Sequence, residues 1–476
     1  MFKKISYQIM GAVLITLVVS SCKTPSLMQR EVNKTTPEQF ADSKDSTNSA
    51  DIKWNEFFAD PHLNALIDTA LKNNQELNIT LQEIEIARNE VRARKGEYLP
   101  FVGLGASAGA EKPGRFTRNG AVEANVPLES GRAFPEPLPD FMIGATATWE
   151  IDIWNKLRNS RKAAYNRYIG STEARNFLVT NLISEIANSY FELLALDNQL
   201  KIIQQNIETQ KNALKIVRLE KQSARVTELA VKRFEAQVLN TQSLQYDIQQ
   251  QIVETENRIN FLVGRYPQRI ERDSDAFSAL VPKSISEGIP SQLLENRPDV
   301  RQAERELEAT KLEVKAARAN FYPSLGISAD VGLQAFNPTF LLSPESIAFS
   351  LAGDLMAPLL NRNAIKAAYY SANATQLQAV YNYEQTLLRA YIEVANELAH
   401  INNLEQSYQL RSQQVDALTQ SVSISNNLFR SARADYMEVL LTQRDALESR
   451  FDLVETKMKQ MNAMVNVYRA LGGGWK

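Results

Sequence analysis

The sequence is poor in the side chains from which metal and catalytic sites are built. Its 476 residues include one cysteine, Cys22, and two histidines, His62 and His400. A single cysteine excludes a disulfide within the chain, and so few soft ligands argue against a zinc site. We find no Ser/His/Asp set, phosphate-binding loop or metal-ligand cluster, so we predict no enzyme, cofactor or metal site, and two histidines at the surface or in packing.

Unbalanced charge and long apolar runs are also scarce. The formal net charge is −2 and no long basic run occurs, so a nucleic-acid partner is not expected. An apolar run at 9–19 is too short to span a bilayer as a helix. It follows Lys3 and Lys4 and precedes two serines, which is the order of a secretory signal peptide.

Cys22 lies where bacterial lipoproteins carry their lipidated cysteine. The stretch Val19-Ser20-Ser21-Cys22 resembles that processing motif. We predict a lipoprotein signal peptide over 1–21 and lipid (palmitate) attachment at Cys22. Residues 22–50 are rich in Ser, Thr, Lys and Asp and are predicted to be a flexible tether. An ordinary secretory signal with an incidental cysteine is the alternative.

One 22-residue segment occurs twice, with its charges, proline and glycine in register. The first copy, ARNEVRARKGEYLPFVGLGASA, begins at Ala87, and the second, TKLEVKAARANFYPSLGISADV, begins at Thr310. Each copy starts with a charged helical pattern, breaks at proline and then alternates apolar with small or polar residues. This order predicts a helix leading into a strand, made once in each half of a duplicated chain.

Four segments alternate with a period of two, which is typical of strands that have one apolar face and one small or polar face. They lie at about 99–111, 141–153, 323–336 and 346–358. Their length suits a strand that crosses a bilayer, whereas strands of a soluble sandwich, the alternative, are about half as long. Aromatic residues near their ends are predicted to form interfacial girdles: Tyr98, Phe101, Phe141, Trp154, Phe321, Tyr322 and Phe336.

Four strands are too few to close a barrel. In lipid, an open sheet edge leaves backbone N–H and C=O groups unpaired, and each such group costs several kcal/mol. The smallest known barrels have about eight strands. Several chains must therefore share one barrel, with eight strands in a dimer or twelve in a trimer.

The rest of the chain is predicted to be long helix. Apolar residues recur with heptad spacing in both halves, which indicates coiled-coil packing, and no proline occurs in 156–266 or 359–476. The segment 159–222 would extend on the order of 90 Å as one helix. The tripeptide Ser-Ala-Arg occurs at 223–225 and again at 431–433, which predicts the tips of two helical hairpins. Small and polar positions on the strands then favour a water-filled conduit.

Four motifs add a family resemblance. They are Trp54-x-x-Phe57-x-x-Asp60-Pro61-x-Leu63, Asp152-Ile153-Trp154-Asn155-Lys156-Leu157-Arg158, Asn296-Arg297-Pro298-Asp299-Val300-Arg301-x-Ala303-Glu304 and Leu471-Gly472-Gly473-Gly474-Trp475. Together with the duplication, they resemble the TolC-type outer-membrane efflux channels, in the lipoprotein (NodT-like) branch that serves tripartite RND pumps. The resemblance covers nearly all of residues 50–476.

The resemblance implies a mixed α/β membrane protein. A homotrimer would contribute four strands per chain to a twelve-stranded transmembrane β-barrel, and its helices would form a periplasmic coiled-coil barrel. We divide the chain into a first repeat at 51–264, an inter-repeat connection at 265–285 in an equatorial region, and a second repeat at 286–476. The hairpin tips fall at about 223–227 and 431–435.

The resemblance also implies a function and partners. The protein would be a passive exit duct for drugs or other small molecules, lipid-anchored in the bacterial outer membrane, in contact with its lipid, and extending into the periplasm. An inner-membrane RND transporter would supply the energy, and a periplasmic adaptor (membrane fusion) protein would bind the helical tips. The alternatives are heavy-metal export or type I protein secretion by the same architecture, or a periplasm-spanning structural lipoprotein without a channel.

By the same resemblance, Asp435 matches a periplasmic gate aspartate, with Arg433, Glu228 and Arg225 as its neighbours. Rings of charged side chains about a threefold axis can filter ions. The alternative is that Asp435 only caps a helix. Family turns often carry glycine where Arg225 and Arg433 stand, so a left-handed backbone there would cost roughly 1 kcal/mol or more.

Three methionines, Met458, Met461 and Met464, lie on a heptad-patterned helix. We predict that they pack in a core, and a copper or silver path is the alternative. The Arg297-Pro298-Asp299 tripeptide predicts the start of a helix, since proline suits the first turn and aspartate the positive end.

Overall fold

The computed structural model describes residues 24–40, 47–128, 131–275, 277–281, 286–431 and 433–476. The predicted signal peptide at 1–21 and the predicted lipidation site Cys22 lie outside these residues. The chain folds into two compact units. The first contains the described residues up to Glu31, with Glu85–Ile169 and Arg305–Tyr381, and the second contains Val32–Ile84, Gly170–Glu304 and Asn382–Lys476.

Each half of the chain contains a helix that leads into a strand, a second strand and two long helices. The helices are α1 (Trp54–Phe57), α2 (Pro61–Asn73), α3 (Gln75–Glu97), α4 (Arg118–Asn125), α5 (Lys156–Gln222), α6 (Glu228–Leu262), α7 (Leu293–Asn296), α8 (Pro298–Ala319), α9 (Asn363–Arg430) and α10 (Tyr436–Ala470). The strands are β1 (Phe101–Glu111), β2 (Leu138–Ile151), β3 (Ser324–Ala335) and β4 (Ile347–Met356). Helix α4, between β1 and β2, has no α-helical counterpart in the described residues 336–346 between β3 and β4. Among the described residues, no helix combines the length and the apolarity needed to cross a membrane.

The duplication extends to the lengths of the helices. Helix α5 has 67 residues and α9 has 68, while α6 and α10 have 35 each. Helices α3 and α8, which lead into β1 and β3, have 23 and 22 residues. The predicted internal duplication and the predicted four strands per chain are both confirmed.

Local chemistry explains the turn from strand to long helix in each half. Asn155 before α5 and Asn361 before α9 have positive φ angles of 56° and 50°, a left-handed conformation that asparagine tolerates better than most residues. The Asp152 carboxylate then accepts hydrogen bonds from the backbone N–H groups of Leu157 and Arg158, at 3.0 and 2.9 Å. These bonds satisfy donors that the first turn of a helix leaves free.

The core of the second unit is formed by α1, α2, α5, α6 and α10. The Phe57 ring stacks on the Tyr468 ring with centroids 4.0 Å apart, and the Tyr190 hydroxyl donates to Asp60 at 2.8 Å. Burial of Tyr190 and this hydrogen bond raise the pKa of its hydroxyl. Met461 and Met464 are buried in the same core, as expected for packing side chains.

The second unit contains the same clasp twice, once in each half. In the first half, the Asn74 side-chain amide donates to the carbonyl oxygen of Leu262 at 2.8 Å, at the end of α6. In the second half, the Arg297 guanidinium donates to the carbonyl oxygen of Ala470 at 3.0 Å, at the end of α10. Each bond satisfies a carbonyl that the last turn of a helix leaves free.

Glycine is required beside both clasps. Gly264 and Gly472 follow α6 and α10 with φ angles of 76° and 91°. A Cβ on Gly472 would lie 2.5 Å from the carbonyl oxygen of Asn296, and one on Gly264 would meet the carbonyl oxygen of Asn73 in the same way. Close approach of two chain segments therefore explains the first glycine of the Leu471–Trp475 motif.

Two carboxylates position Arg297, the donor of the second clasp. It pairs with Asp299 at 2.7 Å and with Glu393 at 2.8 Å, and its side chain is only 4 % exposed. Burial opposes its charge, but the bonds and charges of Asp299 and Glu393 outweigh that effect and raise the pKa of Arg297. Helix α8 begins at Pro298, as the Arg-Pro-Asp tripeptide predicts.

Within the predicted tether over 22–50, residues 33–40 lie against α8 and α9. The backbone N–H of Asn33 donates to Glu384 at 3.0 Å, and the Phe40 ring stacks on Tyr391 at 5.4 Å. Lys34 pairs with Glu304 at 2.6 Å. These contacts make the segment a bound strap, which its polar composition did not indicate.

Candidate functional site

The four strands form one antiparallel sheet in the order β1-β2-β3-β4. Cross-strand partners share a face, so Leu104, Ala145, Val331 and Phe349 form one row across it. The row is apolar and its outer members are open to the surroundings, since Leu104 is 90 % and Phe349 is 82 % exposed. An exposed apolar face of this kind is typical of a surface that contacts lipid or another protein.

The opposite face of the sheet is polar and acidic. The strands carry five charged side chains, all of them carboxylates, and the register places all five on this face: Glu111, Asp140, Glu150, Asp330 and Asp354. Asp330 accepts a hydrogen bond from Ser350 at 3.0 Å, and Asp140 accepts one from Gln334 at 3.0 Å. In a narrow aqueous space such a surface attracts cations.

Small residues keep the middle of the polar face open. Gly144 of β2 and Gly332 of β3 lie opposite each other. A Cβ on Gly144 would lie 2.6 Å from the carbonyl oxygen of Val331, and one on Gly332 would lie 2.5 Å from that of Ile143. The strands approach too closely at this point for any other residue, and no side chain projects there.

Aromatic residues mark the end of the sheet where the helices attach. The Trp154 ring stacks on Tyr322 at 4.7 Å, and its indole N–H donates to the carbonyl oxygen of Pro323 at 2.7 Å. The indole N–H of Trp149 donates to the carbonyl oxygen of Tyr98 at 3.2 Å. Indole rings that are apolar on one side and hydrogen-bonded on the other suit a membrane–water boundary.

A second aromatic cluster lies at the far end of the sheet, between the two connecting loops. Phe336 is 6.3 Å from Phe134 and 6.3 Å from Phe340, ring centre to ring centre. Two of the residues predicted as girdle members are placed differently. Phe321 is 2 % exposed and packs edge-on against Tyr369, and Phe101 shares its face with the polar residues.

The two outer strands of the sheet, β1 and β4, each have a neighbour on one side only within the chain. Alternate backbone N–H and C=O groups along β1 and β4 therefore point away from the sheet. Such edges pair readily with another strand. One chain consequently offers two open edges, an apolar face and an acidic face.

The first hairpin tip lies between α5 and α6. Its left-handed residue is Ala224, with a φ of 55°, and not Arg225 as the comparison with family glycines suggested. The backbone N–H of Arg225 donates to the carbonyl oxygen of Glu220 at 2.9 Å, and that of Arg433 in the second tip donates to the carbonyl oxygen of Leu428 at 2.9 Å. The two arginines thus close equivalent turns, although Ala432 lies outside the described residues.

The predicted gate residues are at the tips and exposed. Asp435 is the N-cap of α10, where its carboxylate accepts from the backbone N–H of Met437 at 3.5 Å. Glu228 begins α6 and pairs with Lys221, whose hydrogen bond lowers the pKa of Glu228. Within the described part of one chain, none of the four gate candidates pairs with another.

The tips and the sheet hold no metal-binding arrangement in the parts of the chain that the structure describes, where no group of three His, Cys, Asp or Glu side chains could hold an ion. His400 is exposed beside Glu397, at 3.5 Å, and His62 is half-buried in the first turn of α2. Sequence reasoning missed the bound strap, the clasps and the uniform sign of charge on the sheet. Only the last of these could be read from the alternation.

Known proteins of similar sequence cover almost the whole chain. The pyoverdine export outer membrane protein OpmQ of Pseudomonas putida is 27 % identical over 462 residues, which are 97 % of this chain and 96 % of the relative. The probable outer membrane lipoprotein SilC of Salmonella typhimurium is 26 % identical over 445 residues, 92 % and 93 % of the two chains. The cation efflux system protein CusC of Escherichia coli O157:H7 is 25 % identical over 470 residues, 97 % and 98 %.

Solved structures show the same fold. A membrane protein from Pseudomonas aeruginosa matches with a TM-score of 0.85 and 22 % identity, over 94 % of this chain and 99 % of that one. The open state of the Neisseria gonorrhoeae MtrE outer membrane channel matches with a TM-score of 0.81 and 23 % identity, over 95 % and 98 %. The family model of the outer membrane efflux proteins matches twice, over residues 66–265 and 289–473, once in each half. The chain therefore belongs to the outer membrane efflux protein family.

Proposed function

We propose that three copies of this chain join their sheets edge to edge and form one efflux duct through the outer membrane. The observation that carries the proposal is the sheet itself, with its two open edges, β1 and β4. In lipid these edges must be paired, since each unpaired backbone group costs several kcal/mol. Three chains supply twelve strands, which is within the range of known barrels.

The two faces of the sheet fit the two environments of such a barrel. The apolar rows, with Leu104 and Phe349, would face lipid, and the acidic face would line the lumen. The paired helices would continue the duct into the periplasm. The protein would be passive and would catalyse no reaction, so an inner-membrane RND transporter would supply the energy, and a periplasmic adaptor would bind the hairpin tips.

The anchor and the gate complete the proposal. Cys22 would carry the lipid that fastens the chain to the outer membrane. Asp435, with Arg433, Arg225 and Glu228, would close the periplasmic end, where a threefold axis brings three copies of each charge together. The exposure of all four side chains at the hairpin tips supports this role, because their charges are available to neighbouring copies.

We propose drugs or other small molecules as cargo, rather than metal ions. OpmQ is named for pyoverdine export and CusC for cation efflux, so the relatives do not share one cargo. The observation that disfavours a metal path is the packing of Met461 and Met464, which are 2 % and 6 % exposed in the core of the second unit. These two thioethers pack against other core side chains, and Met458 is partly buried against the same core.

Cysteine cross-linking tests the barrel directly. Gly105→Cys on β1 would be combined in turn with Ala348→Cys, Ser350→Cys or Ala352→Cys on β4, all on the acidic face. Oxidation of outer membranes should give denaturation-resistant bands of two and three chains for at least one pair, and none longer. Thr146→Cys with Asp330→Cys is the matched control, because these positions pair within one chain and should give no ladder. A protein that stays single while its sheet is intact would refute the proposal.

A further inference from the structure

The loop between β1 and β2, residues 112–137, lies at the end of the sheet away from α3 and α5. It opens with a tight turn over 114–120. The Thr117 backbone N–H and hydroxyl both donate to the carbonyl oxygen of Gly114, at 2.8 and 2.7 Å, and the N–H of Gly120 donates to the Thr117 hydroxyl at 3.2 Å. A Cβ on Gly120 would collide with the Gly114 carbonyl, so glycine is required and the turn has a defined shape.

This turn exposes an aromatic ring and two guanidinium groups within four residues of sequence. Phe116 is fully exposed, at 106 % of its reference area, and Arg115 and Arg118 beside it are also exposed. A single exposed apolar residue needs no explanation. An exposed phenylalanine on a turn of defined shape beside two arginines, however, is suited to a ligand that has both an apolar and an anionic part.

The alternation along β1 places the first residue of the loop, Lys112, on the apolar side of the sheet. Lys112 comes directly after β1. It continues the alternation of the residues of β1 that lie on the apolar face of the sheet, which are Leu104, Ala106, Ala108 and Ala110. Its ammonium pairs with Glu136 at 3.1 Å. All charges on the strands are acidic and lie on the other face, so Lys112, with Glu136 as its partner, is the first charged residue beyond the apolar face of β1. A cation at the end of a lipid-facing row is at headgroup level.

We propose that Arg115, Phe116 and Arg118 bind the phosphorylated headgroups of the outer leaflet of the outer membrane. The inference rests on the proposed orientation, in which this loop faces the cell exterior. Each guanidinium group can donate two parallel hydrogen bonds to the oxygens of one phosphate. The Phe116 ring would enter the boundary between headgroups and acyl chains. The cluster of Phe134, Phe336 and Phe340, at the same end of the sheet, would lie at the same boundary. The turn then holds a shell of anionic glycolipid around the barrel.

The test measures lipid retention by the full-length protein purified in detergent. Bisphosphorylated lipid A and its dephosphorylated form, with the same acyl chains, are titrated separately, and bound lipid is counted by native mass spectrometry. The Arg115→Ala/Arg118→Ala variant should bind bisphosphorylated lipid about thirty-fold more weakly, since each surface cation contributes about 1 kcal/mol. Phe116→Ser should weaken binding of both lipids.

The matched control is Arg92→Ala/Lys95→Ala, which removes two exposed cations from α3 and should retain lipid as the unmodified protein does. Equal retention by the loop variant and the control would overturn the inference, as would equal affinity of the unmodified protein for the two lipids. Heat-modifiable trimer bands and bilayer conductance are recorded for every variant. If only the loop variant fails to form trimers, the turn contacts a neighbouring chain instead of lipid. If the unmodified protein and every variant fail to form trimers, the proposed function is rejected.

Discussion

The Arg297 guanidinium donates to the carbonyl oxygen of Ala470 across 173 positions of sequence, at 3.0 Å. Asn74 makes the corresponding bond to Leu262 in the first half. Two different side chains thus make the same kind of contact. In each half, the residue just before α3 or α8 binds the last carbonyl of α6 or α10. The clasp also explains why the Arg297 and Leu471–Trp475 motifs occur together, since Trp475 donates to the carbonyl oxygen of Asn296 at 3.0 Å.

Replacing Arg297 with methionine should destabilise the protein by about 3 kcal/mol, because removing one member of a buried ion pair leaves its partner uncompensated. Asp299 is 17 % exposed and would lose its main counter-charge. Arg88→Met, at an exposed ion pair on α3, should cost less than about 1 kcal/mol. Denaturant unfolding followed by circular dichroism measures both, and equal losses would contradict the assignment.

Ala224→Gly should stabilise the first hairpin by about 0.5–1 kcal/mol. Alanine in a left-handed conformation costs about 1–2 kcal/mol, which glycine avoids. Part of this gain is offset because glycine also increases the conformational entropy of the unfolded chain. The visible effect should be slower amide hydrogen exchange at 219–229. Ala417→Gly, on the exposed surface of α9, is the control and should speed local exchange, because glycine within a helix costs about 1 kcal/mol.

Asp435→Ala should raise single-channel conductance in planar bilayers if the carboxylate closes the periplasmic end. Asp435→Asn is the decisive companion variant, because asparagine caps a helix as well as aspartate does but carries no charge. A gate role predicts higher conductance for both variants. A rise with alanine alone would identify Asp435 as a helix cap, and no change with either variant would remove it from the gate.

Neutralising the acidic face should reduce preference for cations. Asp330→Asn combined with Asp354→Asn would remove six carboxylates from the lumen of the proposed trimer, so the reversal potential in asymmetric potassium chloride should move toward zero. Ser350→Ala, on the same face, alters the surface without changing its charge and should leave the reversal potential as it was. An unchanged potential in the double variant would show that selectivity is set elsewhere.

Cys22→Ala should abolish palmitate labelling, because no other cysteine is present to accept lipid. Ser21→Ala keeps a small residue before the cysteine and should be labelled normally. Persistent labelling of the Cys22 variant would show that the lipid is attached at another position.

The strands could be predicted from sequence because a period of two is a local property, and Leu104 and Gly103 reveal their faces without knowledge of their neighbours. The clasps could not, since Asn74 and Arg297 are chemically different and equivalent only in three dimensions. The bound strap was missed for a related reason: the partners of Asn33 and Lys34 lie 351 and 270 residues away. At the tip, the Ser-Ala-Arg tripeptide indicated a turn but not which of its residues is left-handed.

The two halves match closely in helix and strand but differ in the loops at the far end of the sheet, where 112–137 joins β1 to β2 and the shorter 336–346 joins β3 to β4. A residue added within a long helix would rotate everything beyond it by about 100° and break the match with the other half. A residue added in either loop, outside the turn over 114–120, leaves the strands and the long helices in register. Length variation among relatives, and any engineered epitope, should therefore be tolerated mainly in these two loops.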